Sequence, residues 1–266
     1  MTKSSISNLK PSVAHWTLFV VHCSLLVALA ACARPDVTWD RVCESGVLRV
    51  GMDAGFPPFE TIAADGTLVG FDVDLARELG RRLSVDVQFV ANLPYDGLYD
   101  ALAVGRVDVV ISALVVSPAR MDDFAYSIPY FDAGQVLVVR EGESGIEEMA
   151  DLSGCTLAVE FGTQGDLEAR KRARRLPGLA VVPYQTAAEA LAALAAGEAD
   201  AALVDHVSAL AATGLVIVGD PVVEEPYAVA MRHDSRHLLR AINDALAEME
   251  VDGTIEALIE RWMSTQ

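Results

Sequence analysis

Residues Ala101-Leu102-Ala103-Val104-Gly105-Arg106-Val107-Asp108-Val109-Val110-Ile111 return later in the chain as Ala193-Leu194-Ala195-Ala196-Gly197-Glu198-Ala199-Asp200-Ala201-Ala202-Leu203. Each copy reads as a helix end, a Gly suited to the left-handed C-terminal cap, a turn and an apolar strand. Thr186 and Glu189 stand as a capping box at the start of the second helix. Upstream, Ser45-Gly46 precedes a strand at Val47-Leu48-Arg49-Val50-Gly51, and Ser153-Gly154 precedes one at Thr156-Leu157-Ala158-Val159. Echoes in the same order describe two halves built alike. Within the first half, Gly70-Phe71-Asp72-Val73-Asp74-Leu75 leads into a helix through about Leu83, with Leu75, Leu79 and Leu83 at helical spacing, and residues 85–90 alternate as a second strand. That βαβ order implies a parallel α/β sheet, hence two α/β lobes with a cleft between them.

Composition narrows the function. Across 266 residues, 20 Lys plus Arg face 38 Asp plus Glu, a formal net charge of -18. Nucleic-acid binders draw affinity from cationic side chains, so this surface argues against one. A hydrophobic content of 52% with 19 Gly and 11 Pro fits a folded chain and excludes wholesale disorder. The four Cys are too few and too scattered for a disulfide scaffold or a zinc framework.

Lys3 and Lys10 are the sole charges of residues 1–32, and an apolar stretch from Trp16 to Ala30 follows them. With His22 inside it, the stretch is short for a membrane span and reads as an export signal over residues 1–31. Its end, Leu29-Ala30-Ala31-Cys32, resembles the lipobox of bacterial lipoproteins, which implies Cys32 as the lipidated first residue of the mature chain; the alternative is ordinary cleavage after a small-residue site, with Cys32 a bystander. Residues 32–46 then form a tether and first helix. Loss of residues 1–31 removes two Lys and no acid, leaving 18 basic and 38 acidic side chains, a formal -20. So acidic a body stays off anionic lipid while an anchor tethers it. Cys43 and Cys155 remain, either paired in an oxidising compartment or as two unpaired, partly buried thiols.

In open parallel sheets, ligands bind at the carboxyl ends of the strands. There the sequence places Asp53-Ala54-Gly55-Phe56-Pro57-Pro58-Phe59-Glu60, then Pro94-Tyr95-Asp96-Gly97, then Ser112-Ala113-Leu114-Val115-Val116-Ser117-Pro118-Ala119-Arg120, and in the second half Glu160-Phe161-Gly162-Thr163-Gln164-Gly165-Asp166 and Val204-Asp205-His206. The inventory suits a zwitterion. An Arg fork grips a carboxylate, a helix start adds N–H donors, an acid takes an ammonium, and aromatic faces stack on a side chain. Taken singly, the same residues read otherwise: Arg120 as a surface ion pair, Phe56 as a core ring, Asp205 as a cap.

The strings Gly51 to Glu60, Gly70 to Leu75, Asp108 to Arg120, Ala125-Tyr126-Ser127-Ile128-Pro129-Tyr130 and Asp252-Gly253-Thr254 to Trp262 are similar to the polar amino-acid family of extracellular solute-binding proteins, over nearly the whole mature chain. The resemblance implies a periplasmic-binding-protein-like type II fold: two α/β lobes joined by two hinge strands, closing on an amino acid that passes to the membrane permease of an ABC importer. Lobe 1 would hold residues 33–131 and 227–266, lobe 2 residues 136–222, with crossovers near 131–135 and 223–227. The resemblance further implies a monomer, periplasmic or at the cell surface, that meets the membrane through its lipid anchor alone. Carried over by position, Arg120 would hold the carboxylate with Thr163 and the backbone around Val115 and Gln164. Asp205 would hold the ammonium with the carbonyl near Ala113, in the loop opened by Ser112. Phe56 and Tyr95 would sandwich the side chain, with Asp53 and Glu160 at its far end. Val115 and Gln164 depart from the family, standing where hydroxyl residues are frequent.

Two carboxylates at the side-chain end favour a basic amino acid; alternatively Glu160 faces solvent or an Arg of its own lobe. The competing class is an enzyme of the same architecture, of the cyclohexadienyl dehydratase type, with Glu160 or Asp205 as acid or base. No G-x-S-x-G or H-E-x-x-H occurs. His233 and His237 read as exposed positions behind an Asp234 cap rather than metal ligands, so neither cofactor nor metal is expected. A ligand-sensing module is a third reading.

Overall fold

The repeat in the sequence is a repeat of bonds. A computed structural model of the chain describes residues 36–143 and 145–263; the export signal and Cys32 lie outside the described residues. In the first copy Gly105 takes a positive φ of 70° and the Arg106 N–H reaches back to Ala101 O at 2.9 Å; in the second, Gly197 has φ 77° and the Glu198 N–H reaches Ala193 O at 2.9 Å. The acid that follows does the same work twice. The Asp108 carboxylate accepts the Arg49 N–H at 2.8 Å, and that of Asp200 accepts the Thr156 N–H at 2.7 Å. Each clamps a parallel strand of its lobe, Val47–Gly51 or Thr156–Glu160, to the turn after the repeat helix. In lobe 1, Asp108 also holds the guanidinium groups of Arg41 and Arg49.

The two sheets share one plan. Lobe 1 orders its strands β5 (Asp86–Val90), β1 (Val47–Gly51), β6 (Val109–Val110), β15 (Ala230–Arg232), β7 (Phe124–Tyr126), and lobe 2 orders β11 (Ala180–Tyr184), β10 (Thr156–Glu160), β12 (Ala201–Asp205), β9 (Gln135–Arg140), β13 (Leu215–Val223). In both, three parallel strands are extended by two antiparallel ones. Alternation along a strand feeds a core on each face: in β9, Val136 and Val138 pack with the Ala187–Ala195 helix, while Leu137 and Val139 pack with Ala169 of the Gln164–Ala173 helix. The Phe71–Leu83 and Arg236–Val251 helices cover one face of the lobe 1 sheet through Leu75, Leu79, Leu238, Ile242 and Leu246.

Several local expectations are corrected. The Glu189 carboxylate returns to the N–H of Gln185, not of Thr186, while Thr186 caps as expected. Asp234 does not cap the Arg236–Val251 helix. Its N-cap is Ser235, and the free N–H groups of His237 and Leu238 are met by Asp36, a residue distant in sequence. Asp36 also caps the Val37–Ser45 helix, so one carboxylate starts two helices. Cys43 and Cys155 are free, and Cys43 is exposed rather than partly buried.

Between the sheets run β8 (Phe131–Asp132) and β14 (Pro226–Tyr227), paired antiparallel. Asp132 ties the crossing together, accepting the N–H of Gly134 at 2.8 Å and of Glu225 at 3.0 Å. Gly134 has no room for a side chain, because a Cβ there would overlap the carbonyl oxygen of Val223 on the returning strand. Gly134→Ala is expected to destabilise the protein by about 1–3 kcal/mol, read as a lowered urea midpoint; an unchanged midpoint would contradict this close approach.

Candidate functional site

A cavity of about 350 Å³ opens at the carboxyl ends of β1 and β6, lined by Asp53, Gly55, Phe56, Glu60, Tyr95, Ser112, Ala113, Val115, Glu225 and Tyr227. Beside it lies a second cavity, of about 600 Å³, to which Arg120 and Tyr99 contribute and which shares Tyr95 and Val115 with the first. The structure therefore gathers Asp53, Phe56, Tyr95, Ser112, Ala113, Val115 and Arg120 along one wall. Glu160, Thr163, Gln164 and Asp205 line neither cavity. They stand on lobe 2, at the end of β10, at the start of the Gln164–Ala173 helix and at the end of β12.

The wall is built by short-range bonds. Ser112 is the pivot: its hydroxyl accepts the Asp53 N–H at 3.0 Å and donates to Glu60 Oε1 at 2.7 Å. Ala113 sits at φ 42°, a left-handed conformation that is unfavourable for Ala. Its N–H donates to Asp72 Oδ2 at 2.5 Å, which holds the turn in place. Val115 bridges Tyr227 on the returning hinge strand through the Val116 N–H to Pro226 O and the Ala228 N–H to Leu114 O. In that pattern the N–H of Val115 itself points away from the hinge strand. Phe56 is half exposed and lies parallel on Phe59, with ring centroids 5.7 Å apart, so it is a platform rather than a core ring. Tyr95 is likewise half exposed.

Arg120 forms no ion pair among the described residues. Its guanidinium lies 4.2 Å from the centre of the Tyr99 ring, and the Tyr99 hydroxyl bonds that of Tyr126 at 2.7 Å. Cation–π contact holds the fork without consuming its donors.

On lobe 2 two side chains are already engaged. Asp205 Oδ1 accepts the Ser208 N–H at 2.8 Å and so caps a short helix, as its plainer reading supposed. Thr163 caps the Gln164–Ala173 helix by accepting from Asp166 N–H and donates its own proton to Glu160 O at 2.8 Å. Gln164 is the first residue of that helix, and Glu160 ends β10 with no ion-pair partner among the described residues.

Sequence reasoning passed over Glu60, Asp72, Glu225 and Tyr227. Glu60 is 1% exposed, Asp72 is fully buried, and the two carboxyls lie against each other, with no further partner for Glu60 Oε2 and Asp72 Oδ1 among the described residues. Burial, then the charge of Asp72, pushes the Glu60 carboxyl up to about 10, against the opposing bond from Ser112. Asp72 rises to about 6, burial outweighing the bonds it accepts from Ala113, Glu60 and Tyr130. Glu225 is raised by burial and by Asp132 and Asp205. At neutral pH the Glu60 and Asp72 pair thus holds a proton. An acid inside the aromatic turn after β1 was a signal for Glu60; Glu225 lies in a crossover, where strand-end reasoning does not look.

Residues 48–265 match the sequence pattern of the bacterial extracellular solute-binding proteins, family 3, and the chain belongs to that family. It is 34% identical over 229 residues to the L-cystine-binding protein TcyJ of Escherichia coli (strain K12), covering 84% of this chain and 85% of that one. An ancestral cationic amino acid solute-binding protein superposes with a TM-score of 0.62 at 34% identity, covering 85% of this chain and 99% of the other. An ancestral cyclohexadienyl dehydratase superposes with a TM-score of 0.73 at 28% identity, covering 84% and 95%. The chain is thus a solute-binding protein with the type II two-lobed fold, and its curated relatives are amino-acid-binding proteins rather than enzymes.

The raised carboxyls make a stability prediction for the empty protein. Between the ordinary carboxylate range and about 10 the folded state keeps a proton on Glu60 that the unfolded chain has lost, so this group's contribution falls as pH rises through that window. Thermal unfolding without ligand from about pH 5 to about pH 9 is expected to show Glu60→Gln gaining on the parent as pH rises. Parallel curves would show that Glu60 titrates normally.

Proposed function

We propose that this family member captures a basic amino acid, closes its lobes over it and presents the closed form to an ABC permease. The observation that carries the basic side chain is the cavity lining. Asp53, Glu60 and Glu225 share it, and no Lys, Arg or His lines it among the described residues. A desolvated cluster of acids favours a cation as its counter-charge. The similarity to a cationic amino acid solute-binding protein agrees with this choice. Glu225 joins Asp53 at the far end of the side chain, the place to which Glu160 is also assigned.

At the other end Arg120, held on Tyr99, grips the α-carboxylate, and the Val115 N–H adds a main-chain donor in place of the hydroxyl frequent in the family. On closure Asp205 keeps its cap through Oδ1 and offers Oδ2 to the α-ammonium, while Thr163 and Gln164 bring the N-terminal donors of their helix to the carboxylate. Phe56 and Tyr95 flank the aliphatic part of the ligand. Contacts from both lobes favour the closed state, which is how binding becomes motion. Cys32 anchors a monomer, lobe 1 spans residues 33–131 and 227–266, and lobe 2 spans 136–222. An export signal over residues 1–31 and the lipid anchor place the body outside the cytoplasm, its excess of acids keeping it off anionic headgroups.

Calorimetry on the purified mature chain is expected to show arginine, lysine or ornithine binding more tightly than glutamine or glutamate; the reverse order would end the basic-ligand reading. Arg120→Ala is expected to weaken binding by about 2–5 kcal/mol. Unchanged affinity in that variant would remove Arg120 from the site.

A further inference from the structure

We propose that Glu60 is a proton-linked specificity residue: in the empty cleft it holds a proton above Asp72, and a cationic ligand side chain settling beside Asp53 drives that proton into solvent. The inference rests on the basic-ligand reading and adds to it a residue and a coupling.

The geometry is that of a site waiting for a positive charge. Glu60 belongs to β3 (Glu60–Ile62), is buried, and still lines the cavity. One carboxyl oxygen is taken by the Ser112 hydroxyl, and among the described residues the carboxyl otherwise meets only the carboxyl of Asp72, an acid that it can approach closely if one of the two keeps a proton. Its position is forced by the backbone, because Gly70 at φ 138° lies against Phe59 and Glu60 so closely that any side chain there would overlap the Phe59 carbonyl. The ionisable groups acting on Glu60 are Asp72 from the Phe71–Leu83 helix and Asp53 from the loop after β1. Tyr130 ahead of β8, Tyr227 of β14 and Tyr95 from the loop after β5 sense Glu60 in turn. No arginine or lysine pairs with Glu60 or Asp72 among the described residues, although Asp108, another buried acid of this lobe, has two arginines. A proton is thus the counter-charge the empty site has.

A guanidinium or ammonium entering this cavity supplies the missing charge. The Glu60 O–H bond breaks, its electron pair stays on the carboxylate, and the proton leaves to bulk water or buffer. The cation then bridges Asp53 and the ionised Glu60, so the site exchanges one positive charge for another and avoids burying two adjacent carboxylates unneutralised. A neutral side chain offers no such exchange. The same acid therefore discriminates by charge: it releases its proton for a cation and keeps it against glutamine. By linkage, affinity for the cation rises with pH while the empty site is protonated.

The test is calorimetry of the mature protein with arginine, lysine and ornithine, and with glutamine as the neutral control, near pH 7.5 in several buffers of different ionisation enthalpy. The slope of binding enthalpy against buffer enthalpy counts protons. Roughly one proton released per basic ligand, none for glutamine, and none for arginine in Glu60→Gln is the expected result. Asp72→Asn, which removes the repelling charge, is expected to reduce the release. A basic ligand that binds the parent with no proton release overturns the linkage while leaving the basic-ligand reading intact. Release that persists in Glu60→Gln assigns the proton elsewhere and overturns it as well. Binding of none of the three basic amino acids overturns the reading beneath it.

Discussion

The antiparallel ladder of β8 and β14 is the constraint on which the molecule depends. It joins two sheets of the same plan, and each lobe keeps cores on both faces of its own sheet. The crossing is also part of the binding surface. Tyr227 and Glu225 enter the cavity from it, Val115 bridges to it, and Asp132 fastens its two passes through backbone donors. His206, which follows Asp205, stacks on Phe131 and meets Asp132 O at 2.6 Å. The lobe 2 acid assigned to the ammonium is therefore held directly against the pivot. A ligand gripping both sides acts through short lever arms.

Electrostatics gives the cleft its polarity. Arg120 is held by a ring face, which leaves its donors free, while acids concentrate at the opposite end of the same wall. Burying Glu60 against Asp72 opposes folding unless a proton stays, and retaining one leaves the pair with a single negative charge instead of two. Such an arrangement is poor as pure scaffolding, since an apolar pair would pack there at less expense. It is what a charge-selective pocket needs.

Much of this was legible in the chain, and the reasons differ by residue. Asp108 and Asp200 recur with the same neighbours because each makes the same backbone bond, so a pattern of letters was already a pattern of contacts. Phe56, Tyr95, Ser112, Ala113, Val115 and Arg120 follow strands, and the sheet delivers strand ends to one edge. Asp36 was not legible as the cap of the Arg236–Val251 helix, since nothing local marks a donor so far away in sequence. Glu60 stood in plain view within the turn after β1, but its character comes from burial and from Asp72, which tertiary packing alone brings to it. Glu225 was hidden by lying in a crossover. Thr163 and Asp205 both serve as helix caps, a reading that the sequence offered for Asp205 alone.

The claim beneath the rest is that one small ligand couples the lobes by holding Arg120 on one and Asp205 on the other. Small-angle X-ray scattering tests it directly. Addition of the bound amino acid to saturation is predicted to shrink the radius of gyration of the parent protein, and to leave that of an Asp205→Ala variant, saturated with the same ligand, near its ligand-free value. A parent that binds and does not contract, or a variant that contracts as fully, would contradict the account.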